Sequence, residues 1–368
     1  MMELPPTILA IVTEAPPSRS VMELSDPVRA SYTKRDAVRQ LRETLASQPP
    51  VDTMKALSVT ERESVAKRTR EDYQKRLDQF KRQARIKTIN MAPEILDAKL
   101  VHNFDQLFLA GAAYAEGEKL WAAVRFFTPS YANHGHLHLP RSSRALKGWR
   151  RLAPTATRRP LPWEAAAAVA WNLLQASLGM AMAWLMMIDT YMRPGELMDL
   201  TRAQIMAPTD RRAMSRAAVV LHPDQRGIAS KTGEMNESLI VTRPWLSDAL
   251  MKFLALGKHR DKIWNFTMAQ FRAAFVRAAV DVGLQKWKPV LYMARHTGAS
   301  LDRLLDQLSL EEVQKRGRWR APASVRRYEK RALVQEVYNS LTAQQQRAAI
   351  RKTNDLQAAL LRRIRAGG

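Results

Sequence analysis

The alternation of apolar and polar positions along the chain predicts a mostly helical protein with one small β region. From Ser58 the run SVTERESVAKRTREDYQKRLDQFKRQARIK sets Tyr73, Leu77 and Phe80 at helical spacing with basic residues between them, as in a helix that buries one face. Further helices are predicted over Pro93–Leu100, with proline at its first turn, then over Val101–Tyr114 and Gly117–Thr128. Ala165 to Ile188 carries no charge for 24 residues, a length that can span a bilayer. It also holds Asn172, Gln175, Ser177, Gly179 and much alanine, and alanine contributes little to insertion. The reading is two buried helices and no membrane partner. Short β signals follow at Ala217–His222, Gly227–Lys231 and Ser238–Thr242, broken by Pro223-Asp224 and Thr232-Gly233. Helices return at Trp245–Leu256 and Thr267–Val282 and continue onwards. The fold class is mainly α with a small antiparallel β-sheet.

The same pattern divides the chain. Residues 1–57 read as a loosely ordered extension, broken at Pro5-Pro6, Pro16-Pro17 and Pro49-Pro50, with a helix near Lys34–Ser47. Residues 58–140 form a small helical domain. Residues 141–160 are a basic linker between domains, and 161–368 a second domain with a helical tail. In that tail Leu333, Val334, Val337 and Leu341 recur at helical spacing, as do Leu356, Leu360 and Ile364, so the tail must bury a face, either back on its own domain or against another chain.

Charge adds a partner. Among 368 residues, 59 Lys and Arg stand against 35 Asp and Glu, a net charge of +24. Such an excess favours a polyanion, above all nucleic acid, and an intracellular, DNA-associated location. The linker concentrates it: Arg141, Arg144, Lys147, Arg150, Arg151, Arg158 and Arg159 occur with no acid among them, a run suited to phosphates or to solvent. Cysteine is absent, which excludes disulfides, thiolate metal sites and cysteine catalysis, and fits a reducing compartment. His134, His136 and His138 invite a metal, but no further ligand lies near them in sequence, and loop or DNA-facing roles fit better. Walker, HExxH and GxSxG motifs are missing, which argues against an ATPase, a zinc protease and an α/β-hydrolase. No cofactor or metal is expected.

The candidate chemistry centres on Leu291 to Lys330. It holds Ala294-Arg295-His296-Thr297, then Gly317-Arg318-Trp319, then Tyr328 nine residues after Trp319. Arg326, Arg327, Lys330 and Arg331 crowd that tyrosine. A phenol is a poor nucleophile at neutral pH, and cationic surroundings lower its pKa and draw in an anionic substrate. Arginine, indole and tyrosine together suggest attack on a phosphodiester. Upstream, Arg193-Pro194-Gly195-Glu196-Leu197 follows the buried helices. Arginine's planar fork holds two phosphate oxygens and stays charged. Glu196 either fixes Arg193 from behind or makes only a helix-surface pair with it. Ser230-Lys231-Thr232-Gly233-Glu234 lies between two strand-like runs, and a Lys-Thr-Gly is also ordinary turn chemistry.

Taken in order, these boxes resemble the tyrosine recombinases, the phage-integrase family. Thr69, Tyr73, Leu77 and Phe80 resemble the first helix of the family's core-binding domain. Arg193 matches its first arginine, Lys231 its β-hairpin lysine, Arg295 its second arginine, Trp319 its His/Trp position and Tyr328 its nucleophile. Tyr292 stands where the family usually has histidine. The resemblance covers Leu161 to Ala332 well, Ser58 to Pro140 loosely, and not the extension. It implies a helical core-binding domain and a catalytic domain that encircle duplex DNA, and a site-specific recombinase that cleaves and rejoins it through a 3′-phosphotyrosyl link. Tyr328 would attack the phosphate, Arg193, Arg295 and Trp319 would stabilise its charge, and Lys231 would protonate the leaving oxygen. Tyr292 would keep a hydrogen-bond donor in the histidine's place, and His296 would be a buried structural residue. The family also implies a homotetramer on DNA and a monomer or weak oligomer without it, with the tail docked into a neighbouring protomer in the assembly. The alternatives are a non-catalytic DNA-binding relic or architectural protein, and a type IB topoisomerase.

Overall fold

The structure is a computed structural model that describes residues 39–40, 42–44, 46–47, 57–154, 158–210, 214–223, 234–257, 262–305, 307–328 and 331–367. The expected strand Gly227–Lys231 and most of the extension fall outside the described residues. Of the helix expected over Lys34–Ser47, Arg39, Gln40, Arg42, Glu43, Thr44 and Ala46 are helical. The chain divides into two compact units, the first holding Leu41–Thr157 and the second Arg158–Gly368, with the residues before Leu41 shared between them.

The first unit contains five α-helices among its described residues from 57 on: α1 (Val59–Arg62), α2 (Lys67–Gln83), α3 (Pro93–Leu109), α4 (Tyr114–Phe127) and α5 (Pro140–Leu152). Ser58 opens α1 with a capping box: its hydroxyl accepts the Glu61 N–H, and the Glu61 carboxylate accepts the Ser58 N–H at 2.8 Å. The helices expected over Pro93–Leu100 and Val101–Tyr114 are one helix, because nothing between Leu100 and Val101 breaks the backbone pattern, and Tyr114 begins the next. Leu77, Phe80, Leu96, Leu100, Phe104, Leu120 and Val124 fill the core.

The basic stretch expected as a linker from 141 is instead α5, which closes this core. Leu146 and Trp149 enter it, and Phe108 and Tyr114 meet the Trp149 ring edge-on. A helix begins there because buried Asp97 on α3 accepts the Arg141 N–H at 2.9 Å and the Ser142 N–H at 2.7 Å, which satisfies donors that a helix N-terminus leaves open. His134, His136 and His138 lie in a loop, not a strand.

The second unit is built on α6 (Trp163–Ala176) and α7 (Leu178–Thr190), which cover the uncharged run. Ser177 splits the run into two helices, and its hydroxyl accepts the Met180 N–H and caps α7. No described helix is long and apolar enough to cross a membrane. After α8 (Pro194–Met198), β1 (Ile205–Met206), β2 (Ala218–Leu221) and β3 (Glu237–Ile240) form an antiparallel sheet in chain order. Strand β1, at two residues, is too short to announce itself by alternation. Val219 pairs with Leu239 and Leu221 with Glu237. Then come α9 (Pro244–Leu256), α10 (Met268–Val280), α11 (Met293–Leu304), α12 (Leu310–Gly317), α13 (Arg331–Asn339) and α14 (Ala343–Arg365). Alanines 165–168 of α6 are buried, and α6 packs against α7, α10 and α14. The expected docking of the tail into a neighbour gains no support from this packing. Ala349, Leu356, Leu360 and Ile364 of α14 enter the core of their own unit, where the apolar surface of α6 needs cover.

Candidate functional site

The second unit brings together Arg193, Tyr292, Arg295, Trp319 and Tyr328 of the expected residues. Helix α11 crosses α7 closely enough that a Cβ on Gly298 would sit 2.0 Å from the Ile188 carbonyl oxygen, so only glycine fits. That approach carries Arg295 into the protein, where its side chain is wholly buried. Its terminal nitrogens donate to the Tyr191 and Gly317 carbonyls, and its guanidinium lies 4.5 Å from the centre of the Trp319 ring. Burial pulls its pKa down to about 10, with Arg193 and Arg318 pulling the same way against Tyr292 and Glu196. It stays charged at neutral pH, held by two carbonyls and an aromatic face.

Trp319 follows α12 through a sharp turn. Its ring folds over Gly317, where a Cβ would lie 1.7 Å from a ring carbon. Tyr328 sits on a single 3-10 turn, Arg326–Tyr328, and is only 4 % exposed. Its ring packs 4.6 Å from that of Trp319 and 5.1 Å from that of His296, centre to centre. Tyr292 ends the row, 5.7 Å from His296, with the Arg158 guanidinium 4.9 Å from its ring centre. His296 is buried as expected, but it lies between the two tyrosines and not away from them.

Arg193 opens α8. Its backbone N–H donates to Glu196 at 2.8 Å, and its guanidinium pairs with the same carboxylate. The pair is therefore more than a helix-surface contact: the Glu196 side chain is 7 % exposed. Burial pushes the Glu196 carboxyl up, but the hydrogen bonds and charge of Arg318, then those of Arg193, outweigh it and hold it below its ordinary value. Lys231 falls outside the described residues. In the first unit Arg141, Arg144, Lys147, Arg150 and Arg151 are exposed on α5. Arg159, in the second, pairs with Glu336 at 3.2 Å and covers the Trp287 ring.

Several supports were not read from sequence. Asp189, at the end of α7, accepts from the Thr242 N–H at 2.7 Å and from Arg243 at 2.8 Å, and Arg316 joins it. The Tyr191 hydroxyl donates to Asp302. Burial, then the Asp302 charge, pushes that phenol far up, and burial likewise raises Asp302 against the Tyr191 hydrogen bond. Arg318 binds both Glu196 and Glu237. The only sequence signal for these was position: Asp189 and Tyr191 close the buried helix, and Arg318 sits inside Gly317-Arg318-Trp319.

No family model matches the chain, and no curated protein does. Solved structures do. The chain is similar to the XerH site-specific recombinase in a pre-cleavage complex with its difH substrate, at 13% identity over 73% of this chain and 77% of that one, with a TM-score of 0.51. A lambda integrase dimer on a COC′ core site matches at 14% identity over 79% and 93%, with a TM-score of 0.46. The XerA recombinase matches at 17% over 75% and 93%, with a TM-score of 0.38. The XerH likeness, above 0.5, carries the fold. A mainly helical chain with one small antiparallel sheet, superposable on XerH over most of its length, has the tyrosine recombinase fold.

Proposed function

We propose that the chain is a site-specific DNA recombinase that breaks and rejoins duplex DNA through Tyr328. The observation that carries this reading is the grouping of Tyr328, Trp319 and Arg295: ring against ring at 4.6 Å, and guanidinium over the indole at 4.5 Å. The Tyr328 oxygen bonds to phosphorus as the phenol gives up its proton to water. The bond to the 5′ oxygen breaks, and that oxygen leaves with the electron pair and takes a proton from Lys231. The phosphotyrosyl ester keeps the bond energy, so rejoining needs no nucleotide. Arg193 and Arg295 offset the charge on the phosphate, with the Trp319 indole N–H as a further donor. Tyr292 contributes a phenol O–H where an imidazole would otherwise stand.

Duplex DNA is the substrate, and the +24 charge supports that partner. The exposed face of α5 supplies phosphate contacts outside the chemistry. Synapsis of paired sites in a tetramer completes the reading.

The test is a nicked duplex, selected by binding from a randomised pool, in which the cleaved fragment diffuses away and traps the intermediate. A covalent protein–DNA band is expected, lost in Tyr328→Phe while DNA affinity stays near that of the unaltered protein. A band that survives Tyr328→Phe would assign the nucleophile elsewhere. No band with any bound duplex would leave a DNA-binding protein without this chemistry.

A further inference from the structure

Arg318 occupies a costly position. It follows α12 with φ 55° and ψ 41°, a left-handed conformation that disfavours any residue with a Cβ and that glycine adopts freely. Its neighbours explain the turn but not the residue: Gly317 makes room for the Trp319 ring, and Trp319 turns back over it. The guanidinium explains the residue. Its two terminal nitrogens donate to the two oxygens of Glu196 at 3.2 and 2.7 Å, and one also donates to Glu237 at 3.0 Å. All three side chains are largely buried, at 9 % for Arg318, 7 % for Glu196 and 13 % for Glu237.

These bonds join three elements. Glu196 lies on α8 and also holds Arg193. Glu237 is the first residue of β3, the strand reached through the connection that carries Lys231. Arg318 is next to Trp319. The charges alternate as Arg193, Glu196, Arg318, Glu237, so each carboxylate is neutralised from the protein side. Two bonds from a planar fork to one carboxylate fix orientation as well as distance. A second arginine of the same segment, Arg320, reaches Glu234 at 3.4 Å, an exposed pair that adds little.

We infer that Arg318 is a positioning residue: its fork ties the Arg193 box and the start of β3 to the Trp319 turn, and so sets Arg193 in register with the indole. The inference rests on the proposed DNA cleavage for its kinetic readout only. The left-handed backbone is the cost of placing an arginine where a glycine would relax.

Two variants separate this role from general stability. Arg318→Gly keeps the turn and removes the fork. Glu237→Gln leaves the turn untouched and weakens one arm. Amide hydrogen exchange of the DNA-free protein reads the tie directly. Arg318→Gly should speed exchange at residues 193–198 and 237–240 and leave α6 and α7 unchanged, while Glu237→Gln should speed 237–240 alone. Unchanged exchange at both segments in Arg318→Gly would overturn the inference, as would a uniform rise that includes α6 and α7. In single-turnover cleavage at saturating DNA, Arg318→Gly should slow covalent trapping by about 100-fold, the scale of an ångström-sized misplacement. DNA affinity should hold, and Arg318→Lys, a point charge without the fork, should recover only part of the rate. Wild-type trapping by Arg318→Gly would also overturn it. If the unaltered protein traps no DNA, the proposed chemistry falls, and the exchange result alone decides whether Arg318 ties the three elements.

Discussion

Glu196 takes the backbone N–H and guanidinium of Arg193 on one side and the fork of Arg318 on the other. Its carboxyl is held below its ordinary value of 4.5. The folded protein therefore releases this proton more readily than the unfolded chain does. Its contribution to stability is present above pH 4.5 and is lost as pH falls through the folded value. Glu196→Gln should lower Tm at neutral pH, and the gap to the unaltered protein should close as pH falls below 4.5; thermal melts from pH 3 to 8 check it. A gap that stays constant with pH would show that the carboxylate charge is not what stabilises. Tyr292 offers a second residue-scale test. Tyr292→His should keep or raise covalent trapping and Tyr292→Ala should lower it, and indifference to both would remove the position from the chemistry. The grouping of Arg193, Arg295, Trp319 and Tyr328 could be read from the sequence because each sits in a short local box. Arg318, Asp189 and Asp302 were not, because their partners lie on other elements and no spacing along the chain links them.

Helix α14 was legible as a helix with one apolar face, but not as to where that face goes. A stripe of Leu356, Leu360 and Ile364 says only that something must cover it. The answer lies in α6, whose alanines bring no bulk of their own and leave a shallow surface for α14 to fill. Leu360 is wholly buried, and Leu360→Ala should cost about 2–5 kcal/mol in urea unfolding. Deletion from Thr353 onward should lower the stability of the whole second unit before any effect on assembly is seen. A truncated protein with unaltered Tm would show that the helix is dispensable to its own core. Helix α5 misled in the opposite direction. Its basic residues mask Leu146 and Trp149, and the carboxylate that caps it, Asp97, comes from another helix far upstream.

At the scale of the whole molecule, the charge excess is spread over both units, and α5 presents much of the first unit's share. Arg144, Lys147, Arg150 and Arg151 are exposed there while Leu146 and Trp149 face inward. Neutralising these four should flatten the dependence of log K for DNA on log salt, by roughly one unit for each phosphate that the protein then leaves to its counterions. An unchanged slope, measured by anisotropy on a fixed duplex, would mean that this face meets only solvent. The packing of α14 on α6 has a further effect, on how the second unit folds. The two helices that meet most extensively come from opposite ends of that unit. Pairings between such distant segments form late, because a long loop must close first. Until α14 arrives, the alanine face of α6 lacks its cover, and an apolar surface left open during folding is where a newly made chain is exposed to aggregation.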